Sequence, residues 1–90
     1  MEQVWNVPIR VLSVCDTDGR IEPLRLRLED TGHRLHTVLV RRILSVKEVQ
    51  YVGLDALVYV CQAEMEGRER LLELRYAVHT HRWVLLRTLN

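Results

Sequence analysis

Polar and apolar side chains alternate with a period of two along most of the chain, the repeat expected of strands with one buried face and one wet face. Over residues 24–29 the alternation sets Leu24, Leu26 and Leu28 on one predicted face and Arg25, Arg27 and Glu29 on the other. Leu72, Leu74, Tyr76 and Val78 alternate with Glu73, Arg75 and Ala77 in the same way, with Leu71 as an extra apolar residue on the outer face. Turn-forming groups punctuate these runs: Asp16-Thr17-Asp18-Gly19, Asp30-Thr31-Gly32-His33, Gly53-Leu54-Asp55, Glu66-Gly67 and His79-Thr80-His81. Regular breakers between short alternating segments mark a meander of hairpins. Asp18-Gly19 is the strongest turn signal, because Gly accepts the positive φ of a tight hairpin. Strands are predicted over 4–15, 20–29, 34–50, 56–65, 69–78 and 83–89.

The third segment is long for a strand, and its phase slips. Leu35, Thr37 and Leu39 share one predicted face, which Ile43 keeps only if the chain bulges or bends near Arg41-Arg42. A short helix over 43–51 is the competing assignment, since Ile43, Val46 and Val49 also follow helical spacing and Ser45 is a capping residue. The β-branched content of Ile43, Val46 and Val49 favours the bent strand. Pro8 and Pro23 fall near strand starts, where a missing N–H is tolerated at an edge or bulge.

Six short antiparallel strands cannot each bury a face while lying flat. The expected architecture is therefore all-β, a six-stranded antiparallel meander closing into a small barrel or two-layer sandwich with at most one short helix. Ninety residues support one core and one domain, spanning 1–90, and a 48% hydrophobic composition spread along the whole chain supports a packed interior.

Three segments break the alternation by being apolar on both faces: Val38-Leu39-Val40, residues 57–61 (Leu-Val-Tyr-Val-Cys) and Trp83-Val84-Leu85-Leu86. In a sheet that otherwise alternates, such strands are covered on both sides. A barrel uses one face of each, so the other predicts a partner, and large apolar patches are rare on monomers. The expected partner is a second copy of the chain, in a two-fold dimer, or a different protein. The predicted interface comprises Val58, Tyr59, Val60, Trp83, Val84, Leu85 and Leu86.

Charge changes this picture little. Thirteen basic and twelve acidic residues give a net charge of +1, which disfavours nucleic-acid binding without excluding it, since charges can segregate onto opposite faces. Twelve of the basic residues are Arg, whose planar fork suits carboxylate and phosphate. Arg25, Arg27 and Arg75 are candidate anion or nucleic-acid contacts, joined by Arg10 or Arg87 if strand order permits. Trp5, Tyr59 or Trp83 nearby would add a stacking surface for single strands. The competing reading is a set of cross-strand Arg–Glu pairs.

Chemistry-bearing residues are sparse. His33 with His36, and His79 with His81, form two loose pairs without the convergent ligand set of a zinc site, so no metal is expected, although a small-ligand or metal site on these turn histidines is kept as an alternative. Asp16-Thr17-Asp18-Gly19 lacks the remaining oxygen ligands of a calcium loop. No GxSxG elbow, phosphate loop or HExxH pair frames Ser13, Ser45, Cys15 or Cys61, so neither an enzyme nor a cofactor is expected. The cysteines have no CxxC partner and are read as reduced, core or half-buried residues. No apolar run of about eighteen residues suggests a membrane span, and no leader pattern opens the chain, so the expected location is the cytoplasm. The function these features imply is a non-enzymatic β-barrel module that self-associates and binds a macromolecular partner. A nucleic-acid-binding barrel is the alternative.

Overall fold

The computed structural model describes residues 2–90. Six antiparallel strands follow one another in chain order: β1 (Gln3–Cys15), β2 (Ile21–Glu29), β3 (Leu35–Tyr51), β4 (Leu54–Met65), β5 (Arg68–Ala77) and β6 (Arg82–Thr88). Each pairs with the next, and β6 pairs back onto β1, so the meander closes into a barrel. The strand assignments made from alternation stand, each boundary within two residues of its expected place. Residues 43–51 are strand.

The connections explain why the meander is so tight. Gly19 takes φ 89° in the β1–β2 turn, and its N–H donates to the Asp16 carbonyl at 2.9 Å. The β3–β4 and β4–β5 links are two-residue turns, Val52-Gly53 and Glu66-Gly67, with positive φ at both positions of each. That conformation matches the twist of the flanking strands. At Val52, however, a β-branched side chain sits at φ 54°, a costly region for such a residue. The sequence signal placed this turn at Gly53-Leu54-Asp55, one residue late.

Inside the barrel, Leu26, Leu28, Val38, Cys61, Ala63, Leu72, Leu74 and Leu85 are buried to within 2% exposure. Tyr59, Tyr76 and Trp83 pack next to them, with ring centroids 5.3 Å apart for Tyr59–Trp83 and 4.7 Å for Tyr76–Trp83.

Two faces differ from expectation. Leu24 is 45% exposed and Pro23 is buried in its stead. The β1–β2 register explains this: Leu12 opposes Arg25 and Ser13 opposes Pro23, so Leu24 is an extra residue that bulges out. In β3 the face that Leu35, Thr37 and Leu39 share is the outer one despite its leucines, with Leu35 71% and Leu39 36% exposed. Residues directly opposed in a sheet share a face. Leu28 opposes His36 and Leu26 opposes Val38, so the buried leucines of β2 bring His36 and Val38 inward and turn Leu35 and Leu39 out. The bulge expected near Arg41-Arg42 is present between Val40 and Arg42, and a second lies between Ile43 and Ser45.

The barrel wall has two gaps at one end. Pairing of β2 with β3 runs only from Arg25↔Leu39 to Glu29↔Leu35, although β3 continues to Tyr51. Pro23, which has no N–H to offer, stands just past the last pair, and the bulges of β3 carry that strand away. Likewise β1 pairs with β6 only from Gln3 to Ile9, because β6 begins at Arg82, and Val11 to Cys15 extend without it. Inner-face side chains at this end are thinly covered. Val11, Ile21 and Leu57 are half-buried, and Val46, opposite Tyr59, is 49% exposed.

Candidate functional site

The outer surface of β1, β2 and β3 carries the densest unpaired positive charge. Arg10 directly opposes Arg27, and Arg25 lies two residues from Arg27 on the same strand face. All three are exposed, and among the described residues no carboxylate lies within ion-pair distance of any of them. Three other arginines find acids: Arg20 with Asp18 at 2.8 Å, Arg41 with Glu64 at 2.6 Å, and Arg87 with Glu2 and Glu73 at 3.0 Å each. The cross-strand Arg–Glu explanation therefore fits Arg87 and Arg41 and does not fit Arg10, Arg25 and Arg27.

Aliphatic side chains interleave these arginines. Leu12 and Leu39 flank Arg25 on its two neighbouring strands, 55% and 36% exposed, and the bulged Leu24 precedes it. Val14, 44% exposed, extends the patch along β1. The sequence signal for this surface is the adjoining Val11 and Leu12 of β1, a shorter doubly apolar run than those of β4 and β6.

The other predicted site residues are dispersed. Tyr59, Trp83 and Leu85 belong to the barrel interior at 1%, 7% and 1% exposure and cannot form an interface, because the single barrel already consumes that face of β4 and β6. Val58, Val60, Val84 and Leu86 are outward and half-buried. They do not merge into one patch: β5 intervenes, with Arg75 opposite both Val58 and Val84, and Glu73 opposite Val60. Arg75 is accordingly separated from Arg25 and Arg27, since β6 and β1 lie between. No tryptophan or tyrosine among the described side chains is exposed, so the stacking platform expected from Trp5, Tyr59 or Trp83 is not on the surface.

The histidines also sort differently. His36, grouped with the turn histidines in the sequence, lies on β3 with its side chain only 13% exposed. Its Nε2 lies 2.8 Å from Asp30 Oδ2 and its Nδ1 2.5 Å from Glu66 Oε1, the second contact lying off the line of a hydrogen bond. It thus ties the β2–β3 turn to the β4–β5 turn. The hydrogen bond to Asp30 raises the His36 pKa, with Glu66 adding to the effect, and the same bond lowers that of Asp30. His33 pairs with Glu29 at 2.8 Å, and His79 lies 3.9 Å from Asp55. Among the described residues no three His, Cys, Asp or Glu side chains converge as a metal set. Cys61 is buried, which pushes its thiol up to about 12, whereas Cys15 is exposed at the end of β1 rather than sheltered.

At the gapped end two cavities open, of about 670 and 580 Å³, sharing Asp55, Ala56, Tyr76 and His81 along their common wall. Tyr76 and His81 are hydrogen-bonded there, hydroxyl oxygen to Nδ1, at 2.7 Å. A third, of about 530 Å³, lies between the β2 start and β3 above Leu57 and Tyr59. The Tyr59 hydroxyl donates to the Ile21 carbonyl across this gap, and burial pushes its pKa up to about 12. No protein-family model, no curated protein and no solved structure matches the chain.

Proposed function

We propose that this barrel is a non-enzymatic binding module that docks an acidic, partly apolar protein surface onto the outer face of β1, β2 and β3. The observation that carries the reading is the Arg10, Arg25 and Arg27 cluster, which lies among exposed Leu12, Leu24 and Leu39 and has no carboxylate partner among the described residues. Apolar patches rimmed by charge mark interaction surfaces, and Arg is the cation best suited to bidentate pairing with carboxylates. Aliphatic rather than aromatic neighbours favour a protein over a single-stranded nucleic acid, whose bases need rings on which to stack.

The test uses an extended peptide of alternating glutamate and leucine, its lysine-and-leucine counterpart, and an oligouridine RNA, each titrated into the labelled protein and followed by amide chemical shifts. Perturbations confined to β1–β3 with the glutamate peptide, and lost in an Arg25→Glu, Arg27→Glu double variant whose melting temperature is not lowered, support the reading. Binding of the RNA alone, falling with salt, would replace it with the nucleic-acid alternative.

A second reading concerns self-association. Val58, Arg75, Val84 and Pro8 form one transverse row on the outside of β4, β5, β6 and β1, in which apolar side chains flank a single cation. A two-fold dimer on this row, extended by Val60 and Leu86, is the proposed arrangement. Light scattering at micromolar concentration is expected to give twice the chain mass, and Val84→Glu to give the monomer. A wild-type monomer at that concentration overturns it.

A further inference from the structure

The gapped end of the barrel presents a chemistry unrelated to the β1–β3 face. Where β1 runs on past Ile9 without β6, the interior opens outward through a cavity of about 670 Å³, within the 300–1,000 Å³ range of small-molecule sites, which barrel mouths commonly provide. Its walls divide by polarity. Ile9, Val11 and Trp83 supply hydrocarbon, and the polar lining comes from Arg82, Arg75, Asp55 and the Tyr76–His81 pair.

Arg82 is exposed at the first position of β6 and, among the described residues, has no carboxylate within ion-pair distance. Asp55, the acid on the same wall, faces His79 at 3.9 Å instead. His81 is held at φ 59° by the turn, where its N–H donates to the Ala77 carbonyl at 2.8 Å, and Tyr76 occupies its Nδ1, leaving Nε2 as the ring's remaining polar atom. An unpartnered guanidinium beside an imidazole, at the lip of a hydrocarbon-walled cavity, fits a ligand with an anionic head and an apolar body.

We propose that the barrel mouth binds an amphipathic carboxylate, with its hydrocarbon body against Ile9, Val11 and Trp83 and its carboxylate on Arg82. Carboxylate–guanidinium hydrogen bonds are charge-assisted, about twice as strong as neutral ones, and the planar fork donates to both oxygens at once. Burial of each methylene adds about 0.8 kcal/mol, so affinity rises with chain length until the cavity is filled.

Decanoate and decylamine below their micelle concentrations, and decanol below its solubility limit, test this against the intact protein by amide and indole chemical shifts. The Trp83 indole is the reporter. Trp5 stands at the start of β1, lines none of the three cavities at this end, and serves as the internal control. The expected result is a saturable shift of Trp83 and Val11 with decanoate, at least tenfold weaker with decanol and absent with decylamine, and reduced to the decanol level by Arg82→Gln. Equal affinity for decanoate and decanol, or decanoate binding unchanged in Arg82→Gln, would overturn the assignment of the head group. No shift of Trp83 with any of the three would overturn the site itself, and neither result bears on the β1–β3 face.

Discussion

Arg10 and Arg27 stand directly opposite one another on the outside of β1 and β2, two like charges in register with, among the described residues, no carboxylate within ion-pair distance of either. Like charges placed so are destabilising, by roughly the 0.2–1 kcal/mol that a favourable pair would contribute. The arrangement therefore works against the fold, and a partner's carboxylates would relieve it. Arg27→Glu is expected to stabilise the free protein by about 0.5–1 kcal/mol in denaturant melts while abolishing binding of the glutamate–leucine peptide. Lost stability together with retained binding would contradict both halves of the argument.

The Asp30–His36–Glu66 contact predicts a pH dependence with a definite sign. A His whose folded pKa is raised is more readily protonated folded than unfolded, so its contribution is fully present below its unfolded pKa, about 6.5, and is lost as pH rises through the raised folded value. Asp30, whose folded pKa is lowered, contributes above its unfolded value near 3.9 and loses that contribution as pH falls through the folded one. The pair is at full strength between those limits. Thermal melts of the wild type are expected to fall in midpoint on passing from pH 6 to pH 9, and His36→Gln to flatten that slope.

Tyr59 spans the gap between β2 and β3 with one hydrogen bond, from its hydroxyl to the Ile21 carbonyl. Tyr59→Phe preserves the ring packing on Trp83 and removes the bond, at an expected cost of about 1–2 kcal/mol in unfolding free energy. Hydrogen exchange adds a local reading: amides of β2 near Ile21 should exchange faster in the variant, while those of β5 change only with global stability.

Val52 occupies the left-handed region beside Gly53 in a two-residue hairpin turn. Asn tolerates that region and, with the following Gly, forms the preferred pair for such a turn. Val52→Asn is expected to stabilise by about 1 kcal/mol, a rise of roughly 4–8 °C in melting temperature for a chain of this size. No change in midpoint would mean that the turn relaxes in solution.

Period-two alternation and turn residues determined the six strands, their order as hairpins and the all-β class, because these are local properties of the backbone and of neighbouring side chains. The same local rule even located the bulge at Arg41-Arg42, where a long segment could not keep phase. What alternation could not determine was which apolar residue yields when two patterns compete. Leu24 bulges outward, and Leu35 and Leu39 face solvent, because a strand's inner face is decided by its partner, and Leu26 and Leu28 had already committed His36 and Val38 to the interior. The doubly apolar runs were legible, yet only closure of the barrel decided that Tyr59, Trp83 and Leu85 fill its core and that β5 divides what remains outside. Likewise Arg10 became the neighbour of Arg25 and Arg27, and Arg82 the lip of a cavity, only once cross-strand register and the early ends of two pairings brought distant residues together. Register and closure depend on the whole ring of strands, so no local window of residues carries them.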